Sequence, residues 1–137
     1  MRLARIGAPG QERPAVWDGT VWRDLSGIVA EVDGDLLSAG LHDIHAALVG
    51  GDLPTLNPVR FGAPLGRIGK IICIGLNYRD HAEETGATPP TEPVVFMKAP
   101  DTVIGPDDDV YIPRGSAKTD WEVELGAVIG QTARYLA

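Results

Sequence analysis

Between Lys118 and Gly130 apolar and charged positions alternate, with Asp120, Glu122 and Glu124 in one phase and Trp121, Val123 and Leu125 in the other. That period of two predicts a strand that places the three acids on one face. The run continues into Ala127-Val128-Ile129, so the expectation is a core strand. Shorter strands are predicted at Leu3–Ile6, Pro14–Trp17 and Thr20–Arg23, the last two joined through Asp18-Gly19, a hairpin signal with both central residues at positive φ. From Leu36 to Val49 the spacing becomes helical, through Leu37, Leu41, Ile44 and Leu48, and Gly50-Gly51 ends it. Residues 51–66, with Pro54, Pro58 and Pro64, read as a connector and place a boundary near residue 65. Lys70–Leu76 is a continuous apolar run, expected as a strand buried on both faces. Asn77 is a candidate N-cap and Gly86 a candidate stop for a short helix between them. Val94–Ala99 is a further strand closed by Lys98, and Thr102–Ile104 with Val110–Ile112 predict a strand pair around the acidic turn Asp107-Asp108-Asp109.

Candidate chemistry rests on three pieces of this pattern. Glu122 and Glu124, two apart in a strand, would stand roughly 6.5–7 Å from each other. Burying them costs several kcal/mol each, by order of magnitude, unless a cation compensates, and a hard divalent cation prefers such oxygen ligands. His81 and Glu84, three apart on a helical turn, would face the same side, so that the carboxylate could raise the basicity of the imidazole. Lys98 brings a cation to the end of an apolar strand. Together these groups would suit a small acid with adjacent oxygens. Rival features carry less. His42 and His45 are expected as surface histidines, the acidic turn lacks the spaced oxygens of a calcium loop and reads as a solvated turn, and Trp17 and Trp22 are packing residues.

Composition narrows the class. Apolar residues make up 44% of the 137, which fits a globular chain. A formal charge of −7 with 12 basic residues offers no cationic surface for nucleic acid or an anionic membrane. The single cysteine, Cys73, excludes an internal disulfide and sits in an apolar run where a buried, inert thiol is expected. The start lacks the apolar region of a signal peptide and no run reaches the length of a membrane span, so a cytoplasmic protein is expected.

The residues also carry a resemblance. Ile74-Gly75-Leu76-Asn77-Tyr78 through His81 and Glu84, then Pro93–Lys98, then Asp120–Leu125, are similar in order and spacing to the fumarylacetoacetate hydrolase family. Met1–Gly7, Gly10–Pro14, Asp24–Gly27, Ile112–Ser116 and Lys118–Trp121 extend the similarity to its bacterial 2,4-diketo-3-deoxy-L-fuconate and -rhamnonate hydrolases. The resemblance implies an α+β, mostly β chain, with a small N-terminal α/β domain at 1–65 followed by the first part of a mixed β-roll catalytic domain at 66–137. It implies Mg²⁺ or Mn²⁺ held by Glu122 and Glu124, and a His81–Glu84 dyad that activates water to cleave a C–C bond of a 2-oxo acid substrate. It also implies that Lys98 contacts that substrate, and a homodimer. Asp120 is then expected to orient neighbouring groups. In the family a third metal carboxylate follows the Glu-x-Glu strand, so the chain is expected to be the N-terminal portion of such an enzyme. It could then depend on a complementary C-terminal chain, or have no catalysis by itself. Isomerisation, hydration and oxaloacetate decarboxylation are alternatives within the family.

Overall fold

The computed structural model describes residues 1–136. They fall into two compact units, one made of Met1–Arg67 with the segment from Ile104 onward, the other of Ile68–Val103.

In the first unit three antiparallel strands form a sheet: β1 (Arg2–Ile6), β2 (Arg13–Trp17) and β3 (Trp22–Asp24), with Leu3 opposite Val16, Ala4 opposite Ala15 and Trp17 opposite Trp22. Alternation assigns the two faces. Ala4, Ile6 and Ala15 pack with Leu56, Trp22 and Phe61 on one side. On the other, Val16 packs with Leu25 and Ile44, joined by Leu3, Leu36, Leu41, Leu48 and Leu53. Both faces are therefore covered, and Pro14, Ala15 and Val16 are buried in succession. The turn between β2 and β3 is longer than the two-residue loop expected. It spans Asp18–Val21, and of its Asp-Gly pair only Gly19 takes positive φ, at 110°. The Asp18 carboxylate closes it by accepting from the Thr20 and Val21 backbone N–H groups at 2.7 and 2.8 Å. This local capture by an Asp side chain replaces the mirror-image turn.

The single helix expected from Leu36 to Val49 is two: α1 (Gly34–Ala39) and α2 (His42–Gly50). The break falls at Gly40, where φ is 94°. On a continuous helix Leu36 and Leu41, five residues apart, would point about 140° away from each other. The break lets both join the Ile44 cluster, and that packing outweighs the local helical pattern. Asp33 caps α1, accepting from the Asp35 and Leu36 N–H groups at 3.0 and 3.1 Å. Gly51, at φ 76°, ends α2 in the left-handed conformation. His42 and His45 are exposed, as expected.

Residues 51–66 do more than connect. The Leu56 N–H donates to Trp22 O at 2.9 Å and the Asp24 N–H to Pro54 O at 2.8 Å, completing the β3 edge. The Gly7 N–H donates to Arg60 O at 3.0 Å and the Gly62 N–H to Arg5 O at 2.8 Å, completing the β1 edge. Both edges thereby gain partners for backbone groups that would otherwise need water.

Beneath the β1 edge runs a chain of alternating charge. Arg5 holds Glu31 through two bonds of 2.7 and 3.0 Å and lies 3.5 Å from Glu12. Arg60 donates to Glu12 at 2.9 Å and grips both oxygens of Asp108. Glycines make room for it. A β-carbon at Gly62 would lie 2.8 Å from Glu12 Cγ, one at Gly66 2.2 Å from Glu31 Cδ, and one at Gly105 2.1 Å from Phe61 O. Asp108 is thus an ion-pair member and not the solvated turn residue expected, although the turn itself forms, with the Asp108 N–H donating to Gly105 O at 3.2 Å. The strand pair expected on either side of it does not form; Pro100–Thr102 is a single turn of 3₁₀-helix.

The second unit holds β4 (Ile71–Gly75) and β5 (Val94–Lys98), antiparallel, with Ile72 opposite Met97 and Ile74 opposite Val95. Between them lies α3 (Arg79–Glu84). Burial of β4 on both faces is not found. Among the described residues its sheet has two strands, leaving Ile72 and Met97 54% and 66% exposed, and Cys73 half-buried where a buried thiol was expected.

Two outcomes follow for stability. Ile44, 1% exposed in the α2 cluster, should cost about 2–5 kcal/mol as Ile44→Ala, whereas Val95→Ala on the exposed face should cost far less, measured by denaturant unfolding. Several carboxylates lie below their ordinary range in the fold. Burial would raise Glu12, but hydrogen bonds from Arg60 and backbone N–H groups, with the charge of Arg5, override it. Hydrogen bonds from Arg67 and the Leu36 N–H lower Asp33, and those from Arg60 and the Gly105 N–H lower Asp108. A lowered folded pKa stabilises above the unfolded value, about 4, and that stability is lost as pH falls through the folded values. Denaturation midpoints should therefore hold from pH 7 to about 5 and fall below about 4, with a shallower fall in Glu12→Gln.

Candidate functional site

The strand β4 ends at Gly75, and the next residue, Leu76, takes a positive φ of 49°. Non-glycine residues enter that region rarely, so the chain is forced to turn here. It leads through Asn77 into α3, whose N-cap is Tyr78, a position with no side-chain capping bond; the Asn77 cap expected from sequence is not used. The helix closes as foreseen around Gly86, at φ 68°, with the Ala87 N–H donating to Ala82 O at 2.8 Å and the Gly86 N–H to Glu83 O at 3.1 Å. Ala82, fully buried, anchors the helix. His81 and Glu84 stand one turn apart on α3, His81 half-buried and Glu84 exposed. The Asp80 carboxylate accepts from the His81 N–H at 2.9 Å, and His81 O accepts from the Thr85 N–H and hydroxyl at 3.1 and 3.0 Å. These bonds hold the backbone from which the imidazole projects. Lys98 is the last residue of β5, opposite Ile71, and shares a sheet face with Phe96 and Cys73. His81, Glu84 and Lys98 thus belong to one compact unit.

Glu122 and Glu124 belong to the other unit. The core strand expected for 118–130 is not formed. The segment has no strand or helix, and Trp121, Val123 and Leu125 are 80%, 79% and 87% exposed. A strand requires a neighbour for its backbone groups, and among the described residues none pairs with this segment. Short contacts within it include the Trp121 N–H donating to the Asp120 carboxylate at 2.8 Å and the Ser116 and Thr119 hydroxyls 3.2 Å apart. The oxygen donors of Glu122 and Glu124 suit Mg²⁺ or Mn²⁺ in kind. In number they are a partial set, because among the described residues no group of three His, Cys, Asp or Glu side chains is placed to hold a metal ion.

Open clefts in the first unit include the following pair. One is lined by Val29, Asp33, Leu36, His42 and Arg67, the other by Asp24, Ile28, Ala47, Asp52 and Leu53. Neither includes a candidate catalytic residue. The sequence pattern assigns no role to Arg60 or Glu12 and places Asp108 in a solvated turn; the three are far apart in the chain and share no periodic signal. The glycines at 62, 66 and 105 are a trace of their packing.

The fold and the motif-bearing segment together define a class. Residues 70–136 match the fumarylacetoacetate (FAA) hydrolase C-terminal family, and the chain belongs to the fumarylacetoacetate hydrolase family. The 2,4-didehydro-3-deoxy-L-rhamnonate hydrolase of a Sphingomonas strain is 46% identical over 143 residues, covering 100% of this chain and 47% of that protein. A Burkholderia multivorans protein whose assigned name is simply that of a hydrolase is 53% identical over 134 residues, covering 95% of this chain and 47% of its own length. Among solved structures, a Mycobacterium smegmatis protein assigned as HpcE superposes with a TM-score of 0.63 at 26% identity, over 85% of this chain and 42% of that one. The chain spans about half the length of the curated relatives it matches. No helix among the described residues is long and apolar enough to cross a membrane.

The exposure of the 118–130 segment is directly measurable. Trp121 should supply the fluorescence most accessible to iodide, while Trp17 and Trp22, half-buried with ring centroids 5.5 Å apart and planes tilted by 58°, should be shielded. Trp121→Phe should remove the readily quenched component; its persistence would mean that the segment is covered.

Proposed function

We propose that the chain forms part of a hydrolase that cleaves a C–C bond in a 2,4-dioxo acid derived from a sugar acid, giving pyruvate and a hydroxy acid. The observation that carries this reading is the ordered set His81, Glu84, Lys98, Glu122 and Glu124 inside the family-matched residues 70–136. The similarity to a rhamnonate hydrolase favours a sugar-acid substrate. His81 takes a proton from water, with Glu84 one turn away to stabilise the charged imidazole. The oxygen so activated adds to the 4-oxo carbon, the bond to the neighbouring carbon breaks, and its electron pair passes into the enolate of pyruvate. A proton returned to that enolate completes the balance: one water consumed, one acid and one pyruvate formed. Lys98 neutralises the substrate carboxylate or its 2-oxo group. Glu122 and Glu124 would hold Mg²⁺ or Mn²⁺, which when bound supplies charge stabilisation for the developing enolate.

A second reading, in which the chain acts only with a complementary polypeptide or a second copy, is favoured by two observations. The carboxylate set is partial, and Val95, Met97, Trp121 and Leu125 are exposed apolar side chains that further polypeptide would cover. Isomerisation, hydration and oxaloacetate decarboxylation remain alternatives that share the enolate.

Glu122→Gln or Glu124→Gln should abolish Mn²⁺ binding and turnover of an acylpyruvate, and unchanged affinity by calorimetry would remove the metal assignment. His81→Ala should leave metal binding intact and lower C–C cleavage by about 10²–10⁴-fold, and retained cleavage would contradict the proton-transfer role.

A further inference from the structure

The turn between β4 and α3 holds a backbone conformation that its first residue does not favour. Among the described residues, positive φ outside glycine occurs at Leu76, at 49°, and at Tyr135, at 48°. Tyr135 is 92% exposed, whereas Leu76 is half-buried, so its side chain has surroundings that can hold it. On one side of it Gly75 pairs with Val94 at the end of the β4–β5 ladder, where a β-carbon would meet Val94 Cγ1 at 3.4 Å and Phe96 Cε1 at 3.6 Å. On the other side α3 begins at Arg79 and is seated by Ala82, which is fully buried. Leu76, Asn77 and Tyr78 alone therefore carry the chain from a paired strand end to a packed helix. A left-handed residue at the first of them permits so sharp a departure, at a conformational cost that persists only where the structure around it dictates the path. The helix it leads into carries His81.

We propose that Leu76 is a positioning residue, whose left-handed backbone sets the direction in which α3, and with it His81, leaves the end of β4. The conformational role stands on geometry alone; its bearing on catalysis rests on the function proposed above. Backbone conformation, and not side-chain bulk, is what positions the helix. A β-branched side chain of the same size is excluded from the left-handed region more strongly than leucine, while glycine enters it freely and asparagine readily. A helix that left the strand in another direction would carry its imidazole elsewhere, and a misplacement of about 1 Å in a reacting group can cost about 10²-fold in rate.

The test uses the whole chain and two substitutions with opposite expectations. Leu76→Ile keeps the bulk and loses the conformation. Amide exchange at Ala82, Thr85 and Ala87, whose N–H groups donate to Tyr78 O, His81 O and Ala82 O at 3.2, 3.1 and 2.8 Å, should then rise. The rise should be about tenfold or more, with exchange in β1 and β2 unchanged. The His81 imidazole resonances should broaden or double, while those of His42 and His45, which belong to the other unit, stay as they were. Leu76→Gly loses the bulk and keeps the conformation, so both readouts should match the unsubstituted chain. The reverse pattern, loss in Leu76→Gly with Leu76→Ile unchanged, would make Leu76 a packing residue and overturn the proposal, as would loss in both or in neither. Where Leu76→Ile unfolds the β4–β5 pair as well, Leu76→Asn decides: protection of α3 retained there supports the proposal, and its loss overturns it. Turnover of an acylpyruvate then tests the consequence. The kcat should fall about tenfold or more in Leu76→Ile with KM little changed, and hold in Leu76→Gly. Unchanged kcat in Leu76→Ile, with loss in His81→Ala, would overturn positioning while leaving the catalytic reading of His81 standing. Cleavage retained in His81→Ala would instead sink that reading, and exchange with the imidazole resonances would alone decide whether Leu76 sets the helix.

Discussion

A strand persists only where the N–H and C=O groups along its edges find partners, and most of this structure follows from how each strand meets that requirement. The three-strand sheet meets it furthest, because residues 54–56 bridge to the β3 edge at Arg23 and residues 60–62 to the β1 edge at Ile6. With both edges and both faces covered, Ile6, Ala15, Val16, Leu25 and Ile44 are almost wholly withdrawn from water. The β4–β5 pair satisfies one edge of each strand and buries neither face completely. Among the described residues, 118–130 join no sheet and remain outside any strand, despite a clear alternation.

Charge is arranged by the same economy of partners. Arg5 and Arg60 each stand between carboxylates, so the half-buried chain from Glu31 to Asp108 leaves no member facing like charge alone. Pairs of this kind lose much of their Coulomb gain to desolvation, and their larger effect is to specify which segments meet. Here the segments lie at residues 5, 12, 31, 60 and 108, so the network ties the sheet, the loop before α1, the extended stretch after α2 and the turn at Gly105 into one unit. Arg67 repeats the pattern on a smaller scale by gripping the Asp33 carboxylate that caps α1.

The candidate site was legible as an order of residues and not as an arrangement. His81 and Glu84 share α3 because helical spacing is a property of neighbouring residues, and Lys98 ends β5 because an apolar run closed by a charge marks a strand terminus. The positive φ at Leu76, which turns the chain into α3, has no such local mark, since leucine avoids that conformation. The two glutamates were recognisable from their spacing and from the family pattern. Their exposure was not, because whether an alternating stretch is covered depends on segments distant in the chain.

Sequence alone determined the features that depend on adjacent residues. These are the β1–β2–β3 succession, the helical content between Gly34 and Gly50, the stops at Gly51 and Gly86, and the family to which the motifs belong. In each, the energetics are local: backbone preference, capping and side-chain period act within a few residues. Tertiary structure alone decided the break at Gly40, the use of residues 54–62 as sheet edges, the ion-pair chain through Arg5 and Arg60, and the exposure of the Glu122–Glu124 segment. Each of those depends on which distant residue supplies the missing hydrogen bond, apolar contact or opposite charge, and no period or composition along one stretch of chain encodes that partner.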